Sequence, residues 1–422
     1  MKIRLAYGKN GIEIDVPDNL NIDIIEPRFK KGLSAPETAI RKALQSPIGA
    51  KPLKELAKPT DRIGIIFNDI TRPTPNQLIL PAILSELEYV PQKNIIFFNA
   101  VGTHRKNTRD ELENMIGKDI LGKFKIVQND AFDKSTQAFL GKTKRGNEIW
   151  INKELLKCDF RILTGFIEPH FFAGFSGGGK AIMPGMAGVD TVLKNHSSGN
   201  ISNLNSTWGI TFGNPIFEEI QEIALRTGPQ FLVNVTLNRR KEITNVFAGD
   251  LVQAHEKGCR IAKENAMAPA SRPFDLVVTT NSGYPLDQNL YQSVKGMSAA
   301  AQIVRQGGAI IIASECRDGV PSHGLYAALL QSAQTPPELM EMLSKPDCQK
   351  QDQWQAQIQC QIQAKADVYV YSSYLTDEQI KKAMLKPCHD IPKLVRELAN
   401  WNGSSARIAI LPEGPQTIPY LK

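Results

Sequence analysis

The chain has 422 residues, 22% of them charged, with a net charge of +7, and is long enough to bury two separate cores. No window approaches the about 18 uninterrupted apolar residues of a membrane span, and Met1 to Pro17 has no apolar signal core, so a soluble, unprocessed cytoplasmic protein is expected. Six cysteines without a CxxC pair argue against a zinc ribbon or a disulfide framework, and the basic residues form no stripe with aromatics of the kind that binds nucleic acid.

Taken in order, Ser34 with Glu37 matches a capping box at the start of a first helix. The apolar run Ile63 to Phe67 reads as a strand and is followed by Asn68-Asp69-Ile70-Thr71-Arg72-Pro73; Ile95 to Phe98 is followed by Asn99-Ala100-Val101-Gly102-Thr103-His104. A second capping box, Thr108 with Glu111, precedes the next helix, and the strand Phe160 to Thr164 runs into Gly165-Phe166-Ile167-Glu168-Pro169-His170. Asp250 to Glu264 reads as a helix, with His255 on its surface or in helix packing, and Ala266 to Pro273 as the approach to a domain boundary. Beyond it lie strands at Leu276 to Thr279, Ala309 to Ala313, Val368 to Tyr371 and Ile408 to Leu411, with a third capping box at Thr376 and Gln379. Gln331 to Gln363 reads as a polar insertion or mobile segment, although Trp354 within it suits a solvated loop poorly.

This alternation predicts an α/β fold of two domains, residues 1–270 and 271–422, with largely parallel sheets flanked by helices, an active site in the cleft between them and a last strand returning to the hinge. Ligands of open α/β sheets bind beyond the carboxyl ends of strands, where this sequence places its polar loops.

Gly174-Phe175-Ser176-Gly177-Gly178-Gly179-Lys180 formally satisfies GxxxxGK, but Ala181 stands where a magnesium-binding hydroxyl would be, and Gly174 follows Thr164 by ten residues. A phosphate-bearing ligand is compatible with such a loop; a P-loop NTPase or kinase is the alternative reading. His104 and His170 follow predicted strands and His196 lies sixteen residues past Lys180, whereas His323 and His389 sit in polar loops without a partner. Gly283 to Gly296 begins with turn residues and enters a helix that Asp287 could cap; Gln292 and Lys295 then share a face suited to a carboxylate.

Together, Asp69 to Pro73, Gly102 to Arg105, Gly165 to Gly188, Asn195 to Ser197 and Gly283 to Gly296 resemble the nickel-pincer lactate racemase family across most of the chain. The resemblance implies an isomerase of 2-hydroxy acids whose nickel is held by a pyridinium mononucleotide joined through a thioamide to Lys180, with His196 as a further metal ligand. It implies His104 and His170 as alternating acid and base, and Arg72, Lys295 and Gln292 as the grip on the substrate carboxylate. Ser176, Gly177, Gly178 and Gly179 are expected to receive the nucleotide phosphate, Asp69 to orient Arg72 or a histidine, and Tyr291 and Trp354 to form walls. Transient contact with the enzymes that build the cofactor is implied as well. Thr103, small beside His104, leaves room for an acid larger than lactate. A non-catalytic carrier of the cofactor is the second alternative, needing Lys180 and His196 but not both other histidines.

Overall fold

The computed structural model describes residues 1–322, 324–345, 348–401 and 406–422. The chain opens with a hairpin of β1 (Lys2–Leu5) and β2 (Ile12–Asp15), then β3 (Asn21–Ile24). A six-stranded sheet follows, built from β4 (Ile63–Asn68), β5 (Ile95–Ala100), β6 (Lys125–Gln128), β7 (Phe160–Phe166), β8 (Gln230–Leu237) and β9 (Ile243–Gly249) in the order β9-β8-β7-β4-β5-β6. All its pairings are parallel except that of β9 with β8. The central strands are buried along their length, which is why they read as unbroken apolar runs rather than alternating ones.

The chain crosses over at β10 (Met267–Ala270) into a second six-stranded sheet of β11 (Phe274–Thr280), β12 (Val304–Ala313), β13 (Ala366–Tyr371), β14 (Lys386–Pro387) and β15 (Arg407–Leu411). Its order is β14-β13-β12-β11-β15-β3, parallel throughout. The first hairpin packs on this sheet too, with Ile3, Leu5 and Ile14 against Leu276, Ile311 and Ile408. Residues 1–24 therefore lie with the second sheet, not with the block 1–270 to which the sequence assigned them. The last strand, β16 (Ile418–Leu421), returns to pair with β10 at the crossing.

Most start signals sit where expected. Helix α1 (Pro36–Gln45) departs: its cap is Ala35, which has no side-chain acceptor, and Pro36 fills the first position, where an N–H would have no helical partner anyway. The capping boxes of Thr108 at α2 (Arg109–Ile116) and of Thr376 at the helix Asp377–Lys382 both form. The helices that build the site are α3 (Val189–Asn195), α4 (Pro215–Arg226), α5 (Leu251–Ala266), α6 (Leu290–Ala301) and α7 (Gln353–Gln363). Asn289, not Asp287, caps α6; the Asp287 carboxylate instead accepts the Gly8 and Glu315 amides and ties the N-terminal hairpin to the second sheet.

The expected mobile segment is the largest departure. Within Gln331 to Gln363, α7 is buried on all sides, and Gln353, Gln355, Gln357 and Gln359 are each at most 1% exposed. Their amides replace water: Gln353 accepts the Lys350 amide, Gln355 donates to the Tyr291 carbonyl, and Gln359 donates to Ala383 and accepts from the Tyr326 hydroxyl. Gln357 crosses to the other sheet unit, donating to the Ser198 carbonyl and the Ser202 hydroxyl.

A formed and an unformed cap give a paired prediction. Thr108→Ala should lower stability by about 1 kcal/mol, read as a shifted urea midpoint, whereas Ser34→Ala should leave the midpoint within error, about 0.3 kcal/mol.

Candidate active site

The polar ends of β4, β5 and β7 open into a cavity closed on its far side by α6 and α7. The loop after β4 supplies Asp69 and Arg72, the loop after β5 supplies Thr103 and His104, and β7 leads into a two-residue hairpin carrying His170. A short 3-10 turn, Gly178–Ala181, presents Lys180, and His196 ends α3. Helix α6 contributes Tyr291, Gln292 and Lys295, and α7 contributes Trp354. All of these line one space, so residues spread from Asp69 to Trp354 in sequence converge.

The cavity is positively biased. Arg72, Lys180 and Lys295 line it, with Asp69 as a lining carboxylate and Glu168 acting on both lysines from behind. Lys180 is half-buried, with Nζ 5.6 Å from the Phe172 ring centroid. Burial, aided by Arg72, pulls its ammonium down to about 7, and Lys295 is lowered well below its ordinary value by the same two causes. Gln292 is 3% exposed and its Oε1 has no partner among the described residues. An unpaired buried acceptor therefore lies in the same wall as Arg72, Lys180 and Lys295.

The three histidines of this cavity are held differently. His104 Nδ1 lies 2.6 Å from Asp69 Oδ2, and Thr71 donates to the other carboxylate oxygen. Burial pushes the Asp69 carboxyl up, but the charge and hydrogen bond of His104, with Arg72 and Thr71, outweigh it and hold the group at about 2. His170 accepts the Ala173 and Phe172 amides at Nδ1, 3.2 and 3.5 Å away, and burial together with Lys180, Lys295 and Arg72 keeps its ring uncharged. His196 is buried and also kept neutral by desolvation and by Lys180; its Nδ1 is 2.9 Å from Asn195 Oδ1. An aromatic wall joins the three rings, running from His104 to Tyr291, by a 2.9 Å hydrogen bond from Trp354 Nε1 to the Tyr291 hydroxyl, then from Trp354 to His196, Phe172 and His170.

The glycine loop differs from its expected use. Gly177 and Ser176 line the cavity, but Gly178 packs against the His255 ring and Gly179 against Ile220 and Ala224, away from it. The Gly178 amide is spent on Asn234 Oδ1, the Lys180 amide on Gly177, and the Ser176 hydroxyl donates to Phe166. Gly178 and Gly179 therefore do not face the space in which a phosphate would sit.

Sequence reasoning passed over three residues. His255, read as surface or helix packing, is 4% exposed; its Nε2 lies 2.9 Å from the Ser176 carbonyl and its ring stacks on Phe217, so it braces the loop that presents Lys180. Asn234 braces the same loop from β8. Glu168 accepts from Gln416 Nε2 at 2.7 Å and so bridges the two sheet units behind the lysines. Of the histidines set aside, His389 is on the surface, 3.3 Å from Asp377, and His323 lies outside the described residues.

Two open α/β sheets thus enclose one cavity lined by three histidines, a carboxylate, an arginine and two lysines, a layout common among two-unit α/β enzymes. Family models for the lactate racemase N-terminal domain and C-terminal domain match residues 7–209 and 270–418. Lactate racemase of Thermoanaerobacterium thermosaccharolyticum is 35% identical over 421 residues, covering 99% of this chain and 98% of that protein. Lactate racemase of Lactiplantibacillus plantarum is 36% identical over 417 residues, covering 98% of each. The lactate racemase apoprotein structure from T. thermosaccharolyticum superimposes with a TM-score of 0.92 at 33% identity, covering 99% of this chain and 100% of that one. The chain belongs to the lactate racemase family and is an isomerase. No helix among the described residues is long and apolar enough to cross a membrane.

The depressed lysine has a direct test. In cofactor-free protein, acylation of Lys180 followed by peptide mapping should show a midpoint near pH 7, and Arg72→Ala should move it upward, since a neighbouring cation disfavours the ammonium.

Proposed function

We propose that this protein racemises lactate or a related 2-hydroxy acid, with Arg72, Lys295 and Gln292 holding the substrate and His104 and His170 exchanging its hydroxyl proton. The reading is carried by one observation: an Asp69-oriented imidazole and a second, desolvated imidazole line the same cavity as three cationic side chains. Arg72 and Lys295 are placed to take the carboxylate, and the unpartnered Gln292 Oε1 to accept from the hydroxyl.

His104 donates Nδ1–H to Asp69, leaving Nε2 to take a proton, and the carboxylate then stabilises the imidazolium. His170 serves the enantiomer whose hydroxyl points the other way. Its neutral ring carries the proton on Nε2 and its lone pair on Nδ1, so it takes the substrate proton at Nδ1 as the 3.5 and 3.2 Å contacts from the Phe172 and Ala173 amides yield, giving an imidazolium that keeps its Nε2 proton. The planar 2-oxo acid formed between the two half-reactions stays gripped by its carboxylate and turns its other face.

The residues fit the nickel pincer nucleotide expected from the family resemblance. Lys180 offers a buried amine with substantial neutral character for the covalent link, and the cations suit an anionic nucleotide. His196 keeps Nε2 free for a metal because Nδ1 is occupied. No group of three or more His, Cys, Asp or Glu side chains that could hold a metal occurs among the described residues, so nickel here would draw its remaining donors from the nucleotide. When bound, that group supplies the hydride acceptor that spares the substrate a carbanion. Enzymes that build the nucleotide are then transient partners. Unbridged thiols at Cys158, Cys259, Cys316, Cys360 and Cys388 suit a reducing compartment such as the cytoplasm. For the domains, we group residues 1–24 with the second unit.

A second chamber adjoins the first across Asp69, His104, Tyr291 and Gln292, bounded further out by Gln288, Pro321 and Gln351. It gives a substituent longer than methyl somewhere to go. The P-loop alternative finds no support in a loop whose Ser176, Gly178 and Lys180 amides are already bonded within the protein.

Protein co-produced with the cofactor-building enzymes tests the whole reading. His104→Ala and His170→Ala should each retain the Lys180 adduct and about one nickel per chain by mass and metal analysis, yet lose about 10²- to 10⁴-fold in racemisation. Full activity in either variant would sink the two-histidine reading and favour another chemistry, whereas a parent protein that carries adduct and nickel but does not racemise would favour a carrier; an adduct persisting in Lys180→Ala would misplace the link.

A further inference from the structure

Behind His196 lies a buried carboxylate that the mechanism does not use. Glu219, on α4, is 3% exposed, and its hydrogen-bond partners are all neutral: the Thr143 hydroxyl at 2.8 Å, Asn147 Nδ2 at 3.1 Å and Asn195 Nδ2 at 2.7 Å. Placing a charge in the core costs several kcal/mol unless it does something an amide or an apolar group would not. A carboxylate only accepts, and that property has a consequence two bonds away. The Asn195 amide must turn its NH₂ toward Glu219, so its oxygen faces the other way, and His196 Nδ1 lies 2.9 Å from that oxygen. The imidazole then has one choice: Nδ1 carries the proton and Nε2 keeps its lone pair.

We propose that Glu219 is a positioning residue for His196, acting through Asn195 to hold the Nδ1–H tautomer and present Nε2 to a metal. The inference rests on the reading of His196 as a nickel ligand. Its logic is that of the outer partners of metal-bound histidines, which fix tautomer and ring orientation and whose loss weakens the metal about 10- to 100-fold. Here an amide stands between carboxylate and ring. Glu219 therefore sets the polarity of the hydrogen-bond chain without placing its charge against the imidazole. Asn195 is anchored further by its bond to the Ile216 carbonyl, and Asn147 is anchored to the Thr191 carbonyl of α3, so the helices on either side of the chain are fixed relative to each other.

Glu219→Gln is the diagnostic change. Glutamine is nearly isosteric but brings an NH₂, which allows the Asn195 amide to reverse and offer its own NH₂ to His196; the ring then moves its proton to Nε2. Thr143→Val removes a different bond to the same carboxylate and leaves the chain intact. The tautomer is read in cofactor-free protein by ¹⁵N correlation of labelled histidine, with His196→Gln for assignment, and the loaded protein is compared by nickel content and visible absorption. We expect Nδ1–H in the parent and in Thr143→Val, and a shift toward Nε2–H in Glu219→Gln with about 10-fold or greater loss of nickel at an unchanged Lys180 adduct. An unmoved tautomer in Glu219→Gln overturns the proposal. A moved tautomer with unchanged nickel and spectrum overturns instead the reading of His196 as ligand. Should Glu219→Gln fail to fold, Asn195→Ala, which removes the acceptor, carries the same measurement: a mixed tautomer supports the chain, and a pure Nδ1–H tautomer overturns it.

Discussion

Arg72, Lys180 and Lys295 share one buried cavity, and the rest of the structure is arranged around sustaining that concentration of like charge. Desolvating a single cation costs several kcal/mol even after relaxation, and two neighbouring cations add repulsion. The fold answers in two ways. Asp69 stands in the cavity wall and Glu168 behind it as counter-charges, and the two lysines give way by losing affinity for their protons. What remains is a positively biased cavity, so the binding of an anion would relieve a cost already present in the folded protein.

That arrangement depends on two sheet units staying in register, because Lys180 and Arg72 come from one and Lys295 from the other. The aromatic wall has the same divided origin: Tyr291 and Trp354 are inserted from α6 and α7 between histidines of the first unit. Hydrogen bonds across the seam are correspondingly specific. Gln357 reaches Ser198 and Ser202 just past His196, Trp208 Nε1 donates to Ser298, Gln351 reaches the Thr103 carbonyl beside His104, and Gln416 reaches Glu168. Each of these ends within a few residues of a cavity-lining group. Separation of the units would therefore disturb the orientation of the site residues as well as widen the cavity.

Much of this was legible in the sequence because parallel central strands are continuous apolar runs, and the polar triplets that follow them fall where such sheets bind ligands. Arg72, His104 and His170 are legible in that way, Lys180 from the glycine-rich motif, and Asp69 from the family resemblance. The supporting residues were hidden because their partners are remote: Glu219 bonds Thr143 across 76 positions, and His255 meets Ser176 across 79. A signal existed for both. Glu219 lies on the apolar face that α4 builds from Ile216, Ile220 and Ile223, and His255 lies one turn from both Leu251 and Cys259 on the buried face of α5. A polar residue on an apolar stripe is a buried group awaiting a partner. The glutamines of α7 misled for a related reason: polarity by composition was taken for exposure, whereas in a wholly buried helix it supplies the hydrogen bonds that water would otherwise make.

The glycine loop shows how the same composition serves a different physics. In a phosphate-binding loop, glycines let consecutive N–H groups converge on an anion. Here Gly177 and Gly178 have φ of 75° and 56°, but the Gly178 and Lys180 amides are engaged internally, and a side chain at either position would collide with Asn234 or His255. The glycines thus permit close packing from behind. With its backbone pressed between β8, α4 and α5, the turn has little freedom, and the one long side chain it carries is directed into the cavity. A GxxxxGK match therefore carries its usual meaning only when the amides are free. Where they are spent, the lysine side chain is the functional group that remains, and the loop is a rigid mount for an amine.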